Sequence, residues 1–173
     1  STIPIKDPAL IFFHGTTWIS KCWPQQNWHD LAQLAVKEGF HIYFPWGNMQ
    51  EKKAAIELSE KHPQLHCLPK MTLSEMAAFL QQVRAAVAVD TGFSHLAAAI
   101  GTPCITLFGA SDPKRSHPMG PRQSTITEDF PCQPCLKKHC RRNPLNSEAL
   151  CMQDLPAAKV MTEILKVKEV VPC

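Results

Sequence analysis

An α/β fold is predicted, a parallel sheet covered by helices on both faces, and three observations predict it. Short, mostly apolar runs recur at residues 9–13, 40–44, 65–68, 85–89 and 104–108. Stretches with apolar residues at helical spacing separate them. Strands and helices alternating at these lengths imply right-handed βαβ units, whose crossovers lay helices on both sheet faces. Third, the chain has 173 residues, 45% of them apolar and 19% charged, which suffices to bury the core of about one domain.

Taken in order, residues 9–13 are all apolar and read as the first strand. Trp28, Leu31, Ala32 and Ala35 share one face of a helix over residues 28–37, and Gly39 is its stop signal. A second strand follows at 40–44, a helix with a charged outer face at 51–61, and a third strand at 65–68. Thr72-Leu73-Ser74-Glu75 is a capping box. The Thr72 hydroxyl accepts from the Glu75 amide and the Glu75 carboxylate reaches back to the Thr72 amide, so a helix opens there and runs to Val83. Residues 85–89 and 104–108 are the fourth and fifth strands, with a helix over 94–100 between them. Residues 109–121 are a Gly/Pro loop, 124–127 a short edge strand, and 131–151 an aperiodic loop. Pro156 starts a last helix with Val160, Ile164 and Val167 on one face. Proline is favourable there because it lacks only an amide that would be unpaired anyway.

Composition excludes several classes. A net charge of +3 gives no global nucleic-acid signal. No apolar run approaches the ~20 residues of a membrane span. The N-terminus has no signal-peptide pattern and no initiator Met. Residues 1–8, Ser-Thr-Ile-Pro-Ile-Lys-Asp-Pro, read as the remnant of an inter-domain linker. The expectation is a single domain over 1–173, cut from a longer protein.

The turn after the fourth strand concentrates polar groups. Val89 is followed by Asp90, Thr91 and Gly92, and then by an alanine-rich helix containing His95. In open α/β sheets ligands bind at the carboxyl ends of strands, where helix N-termini present unpaired N–H groups to anions. The turn is therefore either a site for a phosphate-bearing ligand or a βα turn in which Asp90 caps the helix.

Four motifs recur in this order in one family: Lys21-Cys22-Trp23-Pro24 with Trp28, Pro45-Trp46-Gly47 with Glu51, Leu68-Pro69-Lys70-Met71-Thr72-Leu73, and Asp90-Thr91-Gly92-Phe93-Ser94-His95. Over residues 9–165 the chain resembles the C-terminal half of the lipopolysaccharide heptosyltransferases of glycosyltransferase family 9, most closely the heptosyltransferase I type. The resemblance implies a Rossmann-like domain that is one half of a GT-B glycosyltransferase. Its donor would be ADP-heptose. Its acceptor, a lipid-linked Kdo sugar, would be held by an N-terminal domain that this chain lacks, so the chain alone is expected to be inactive. The implied setting is cytoplasmic, peripheral at the inner face of the bacterial inner membrane.

The resemblance also assigns residues, and chemistry can be set beside each. Expelling ADP from an anomeric carbon builds negative charge on the diphosphate, which calls for preorganised donors and cations. Thr91 and Gly92 would supply amides at a helix N-terminus, with no Cβ at Gly92 to hinder approach. Lys21 would add a point charge, or be a solvated loop lysine. Asp90 would accept from sugar hydroxyls, and His95 would reach the diphosphate or the sugar, or else pack in the core. Glu51 would take the adenosine ribose hydroxyls, as a carboxylate at a strand end does, or favour its own helix dipole. Met71 is the position whose backbone meets adenine, and also ordinary core filler. Trp23, Trp28 and Trp46 read as packing residues.

Eight cysteines remain to be placed: Cys22, Cys67, Cys104, Cys132, Cys135, Cys140, Cys151 and Cys173. Cys67 and Cys104 fall in predicted strands and read as buried. Cys132, Cys135, Cys140 and Cys151 carry a first pair at metal-ligand spacing, and four thiolates suit a closed structural zinc site. Disulfide pairing and free thiols stay open beside it, and metal analysis of the purified chain tests the zinc reading. Some members of the family carry a similar cluster and others lack it, so no cofactor is expected for catalysis itself. Lys137, Lys138, Arg141 and Arg142 form a basic run, as do Lys114 and Arg115. Each is a solvated face or an attraction for anionic headgroups. Other functional classes also remain: a family 9 transferase for another sugar or acceptor, a non-catalytic nucleotide-binding domain, a flavodoxin-like module using His14-Gly15-Thr16-Thr17 as a poor phosphate loop, or a zinc-based interaction module.

Overall fold

Six parallel strands form a single sheet in the order β3-β2-β1-β4-β5-β6 in the computed structural model, which describes residues 4–146 and 148–169. The strands are β1 (Ala9–Phe13), β2 (His41–Phe44), β3 (Leu65–Cys67), β4 (Ala85–Val89), β5 (Cys104–Phe108) and β6 (Gln123–Thr127). The helices are α1 (Gln25–Lys37), α2 (Met49–Ser59), α3 (Leu73–Leu80), α4 (Gly92–Ile100), α5 (Pro113–Ser116), α6 (Leu150–Gln153) and α7 (Ala157–Glu169). Every residue of β1, β4 and β5 is buried. That burial explains why β1 and β4 are continuous apolar runs, and β5 one interrupted only by the buried Thr106, rather than alternating patterns.

Alternate residues of β1, β2, β4 and β5 feed two cores. On one face Leu10, Phe12, Ile42, Phe44, Val87 and Leu107 pack with residues of α1, α2 and α7. On the other, Ile11, Phe13, Tyr43, Ala86 and Ala88 pack with α3 and α4. α4 enters this core with Ala97, while its Phe93, Leu96 and Ile100 pack against it, the Phe93 ring stacked on that of Phe13 at 4.8 Å.

Several boundaries move from the sequence expectation. α1 begins at Gln25 because Pro24 is its N-cap, so Pro24 rather than the first apolar residue sets the start. α3 stops at Leu80 and α4 starts at Gly92. Short helices α5 and α6 interrupt the two expected loops, α5 being opened by an Asp112 cap followed by Pro113. The Thr72–Glu75 capping box is present in both directions. Cys104 is buried, but Cys67 is only half-buried, because β3 is an edge strand with a neighbour on one side. Residues 1–3 of the expected linker, and Cys173, lie outside the described residues. Within the rest of that linker, the Lys6 amide donates to the Tyr43 hydroxyl at 2.9 Å.

β1 is the switch point of the sheet. Its successor β2 lies on one side and β4 on the other. The loops that leave β1 and β4 therefore part, and a crevice opens above their carboxyl ends.

Candidate functional site

A cleft of about 660 Å³ occupies that crevice. Its walls come from the loops after β1, β2, β3 and β4, and it gathers Lys21, Glu51, Met71, Asp90, Thr91, Gly92 and His95. Every non-cysteine site residue expected from the sequence thus lies in one place. A second cleft, of about 730 Å³, sits at the opposite ends of the strands, around Arg84, Pro103, Gln123 and Lys166. It holds no helix N-terminus of the parallel sheet, and in such sheets ligands bind at the carboxyl ends. Its larger volume does not outweigh that placement.

Lys21 and Asp90 make an ion pair, Nζ to Oδ2 at 2.7 Å, with side-chain exposures of 18% and 8%. Asp90 is not the cap of α4. Thr91 holds the N-cap position, and its side chain accepts no hydrogen bond from the helix. The first turn of α4 therefore faces the cleft without the side-chain cap that Asn48 gives α2 and Thr72 gives α3. Unpaired amides with the positive end of the helix dipole are what an anionic group seeks. A Cβ on Gly92 would meet nothing within 4 Å, so protein packing leaves the space above this glycine to whatever fills the cleft.

At the other end of the cleft, Glu51 is held by two neighbours. The Gly47 amide donates to its Oε2 at 2.7 Å, and its own amide donates to Asn48 Oδ1 at 2.9 Å. The carboxylate lies flat across Gly15, where a Cβ would overlap its carboxyl carbon and Oε1. His14, beside it, is half-buried, and its pKa is lowered by loss of solvent around the ring against the opposing pull of Glu51. Its Nε2 has no partner among the described residues. Trp46 lines the cleft with its indole N–H donating to the Leu68 carbonyl at 2.6 Å, and Lys52 stands over its ring. Trp23 and Trp28 are core residues.

His95 lines the cleft and is exposed, which removes the core alternative for it. Met71 is half-buried at the cleft edge. Sequence reasoning gave little weight to His14-Gly15-Thr16-Thr17, yet all four residues line the wall. Their signal was their place at the carboxyl end of β1.

The cysteines stand apart from this cleft. Cys132 is exposed, Cys135 and Cys140 half-buried and Cys151 buried, all with free thiols. Burial, and behind it the nearby thiols of Cys132, Cys135 and Cys140, push the Cys151 thiol up to about 11. Among the described residues no three His, Cys, Asp or Glu side chains are arranged to hold a metal ion. Gly109 admits α6 to this region, since a Cβ there would come within 2.6 Å of Met152 Cγ and 3.3 Å of Cys151 Sγ.

Comparison with known proteins agrees with this architecture. Residues 1–146 match the model of glycosyltransferase family 9 (heptosyltransferase). Lipopolysaccharide heptosyltransferase 1 of Pseudomonas aeruginosa is 38% identical over 167 residues, which are 91% of this chain and 47% of that protein. The chain thus spans about half the length of that relative. The structure of E. coli heptosyltransferase WaaC with ADP matches with a TM-score of 0.76 and 30% identity, over 92% of this chain and 44% of that one. WaaC with ADP-2-deoxy-2-fluoro heptose matches with a TM-score of 0.73 and 31% identity, over 92% and 43%. A flavodoxin-like module would carry the strand order 2-1-3-4-5, and the sheet does not. The fold is a Rossmann-like half of a GT-B enzyme, and the chain belongs to glycosyltransferase family 9, the heptosyltransferases.

Proposed function

We propose that this chain is the donor-binding half of an inverting heptosyltransferase and that the cleft takes ADP-heptose. The observation that carries the reading is the Lys21–Asp90 pair set against the uncapped first turn of α4 at the switch point of the sheet. In this reading the diphosphate lies between the Lys21 ammonium and the α4 amides. As the anomeric carbon–oxygen bond breaks, charge grows on the leaving ADP and these groups stabilise it. Asp90 accepts from heptose hydroxyls, His95 stands beside the sugar and diphosphate, Glu51 takes the ribose, and the backbone at Met71 meets adenine.

The acceptor hydroxyl and its base belong to the other half of the enzyme. We assign the acceptor to the lipid-linked Kdo sugars of the lipopolysaccharide inner core, met at the cytoplasmic face of the inner membrane. The curated relative named above supports this, being a heptosyltransferase of lipopolysaccharide. The basic residues 137–142 would favour an anionic surface there.

Calorimetric titration of the chain with ADP, UDP and GDP tests the reading. ADP is expected to bind most tightly, and a preference for UDP or GDP would overturn it. A second result follows from the Glu51 cradle. Gly15→Ala places a methyl group where the carboxylate lies, and the flexible end of Glu51 must swing away. ADP affinity should fall about tenfold, the worth of a hydrogen bond to a charged group, with little change in melting temperature. Unchanged affinity in this variant would remove Glu51 from the ribose site.

A further inference from the structure

Lys21 is held from two sides. Toward the cleft it pairs with Asp90. On another side its Nζ stands 4.6 Å from the centre of the Trp18 ring. Trp18 does not line the cleft, so it meets a ligand there only through Lys21. A second ammonium, that of Lys138, stands 5.7 Å from the centre of the same ring. The ring quadrupole attracts both cations, while the like charges oppose any retreat of Lys21 toward Lys138.

Lys138 belongs to the cysteine-rich loop, and that loop is fastened to the Lys21 turn. The Ser20 amide donates to the Lys138 carbonyl at 3.2 Å, and the Ser20 hydroxyl to the Lys137 carbonyl at 2.5 Å. Ser20 is 1% exposed, so both bonds are shielded from water. The loop is anchored in turn to the end of β5. The Leu136 amide donates to the Ala110 carbonyl at 2.8 Å and Gln133 Nε2 to the Phe108 carbonyl at 2.9 Å. A continuous path of contacts therefore runs from β5 through residues 133–138 to Ser20, Trp18 and Lys21.

We propose that Trp18 and Ser20 are positioning residues for Lys21, and that the cysteine-rich loop is the support that keeps its ammonium on the diphosphate side. The proposal rests on the reading of Lys21 as the diphosphate cation. It assigns the loop a task in donor binding whatever the state of its thiols.

The test measures the affinities of the chain for ADP and for adenosine, which lacks the phosphates, beside melting temperature. Trp18→Leu and Ser20→Ala should each weaken ADP about three- to tenfold, the range for losing a partly shielded cation–π contact or hydrogen bond. Adenosine affinity should stay unchanged. Trp18→Phe keeps a ring and should recover most of the loss. In a Lys21→Ala background, Trp18→Leu should have no further effect on ADP. If Trp18→Leu does not fold, Ser20→Ala, which removes one hydroxyl, decides. Parallel losses for ADP and adenosine, or equal losses with and without Lys21, would overturn the positioning role. So would unchanged ADP affinity in Trp18→Leu and Ser20→Ala while Lys21→Ala weakens it. If Lys21→Ala binds ADP as tightly as the parent chain, the diphosphate reading itself fails and the proposal falls with it.

Discussion

In a two-domain heptosyltransferase of the kind proposed, Lys21→Ala should lower kcat about 10²–10³-fold, the range for losing one preorganised electrostatic partner of a developing charge. The motivating geometry is a lysine with 18% side-chain exposure, paired at 2.7 Å and facing an uncapped helix N-terminus. If the proposed function holds, its charge matters most when the diphosphate departs, so ADP affinity should fall by less than the rate. Steady-state kinetics with ADP-heptose, beside ADP titration, check this. A raised KM with unchanged kcat would mean that Lys21 binds the ground state and transition state equally. Asp90→Ala offers the contrast. Because Asp90 does not cap α4, its loss should weaken ADP-heptose binding and leave ADP binding nearly intact. A parallel loss of both affinities would take Asp90 away from the sugar.

Phe12→Ala should cost about 3–5 kcal/mol of stability, the usual loss for a fully buried phenylalanine. Phe12 is 0% exposed in the central strand β1. Its ring lies 5.6 Å from that of Trp28 and 5.8 Å from that of Phe44, so it joins β1 to α1 and β2. Truncation would leave a void among rigid neighbours that cannot collapse into it. Urea unfolding of the chain should show a lower midpoint with an unchanged m-value. A loss below about 1 kcal/mol, the scale of an ordinary surface-like substitution, would mean that the core does not depend on this ring. β1 also leads into residues 14–21, so ADP affinity should weaken beside stability.

Much of this was legible in the sequence because its causes are local. β1 and β4 lie where continuous apolar runs end in polar residues, since strands buried on both faces have no need of alternation. The capping box at Thr72 and Glu75 involves groups within one helical turn, and it was readable for that reason. The same holds for residue types in the candidate site, because Lys21, Glu51 and Asp90 each follow a strand whose end the pattern marks. The boundaries that moved, at Pro24 and inside the loop containing α5, depended on cap geometry rather than on apolar period.

What the tertiary structure decided was adjacency. Only the sheet order brings β1 beside β4, and that order turns Lys21 and Asp90 into a pair and removes Asp90 from the helix cap. The same order opens the switch-point cleft and places Gly15 beneath Glu51. The fastening of Ser20 to the Lys137 carbonyl joins groups 117 residues apart, with no periodicity to announce it. Local spacing records which face of its own element a residue occupies. Which elements then meet is settled by burying every apolar face at once, a condition on the whole chain that no window of sequence contains.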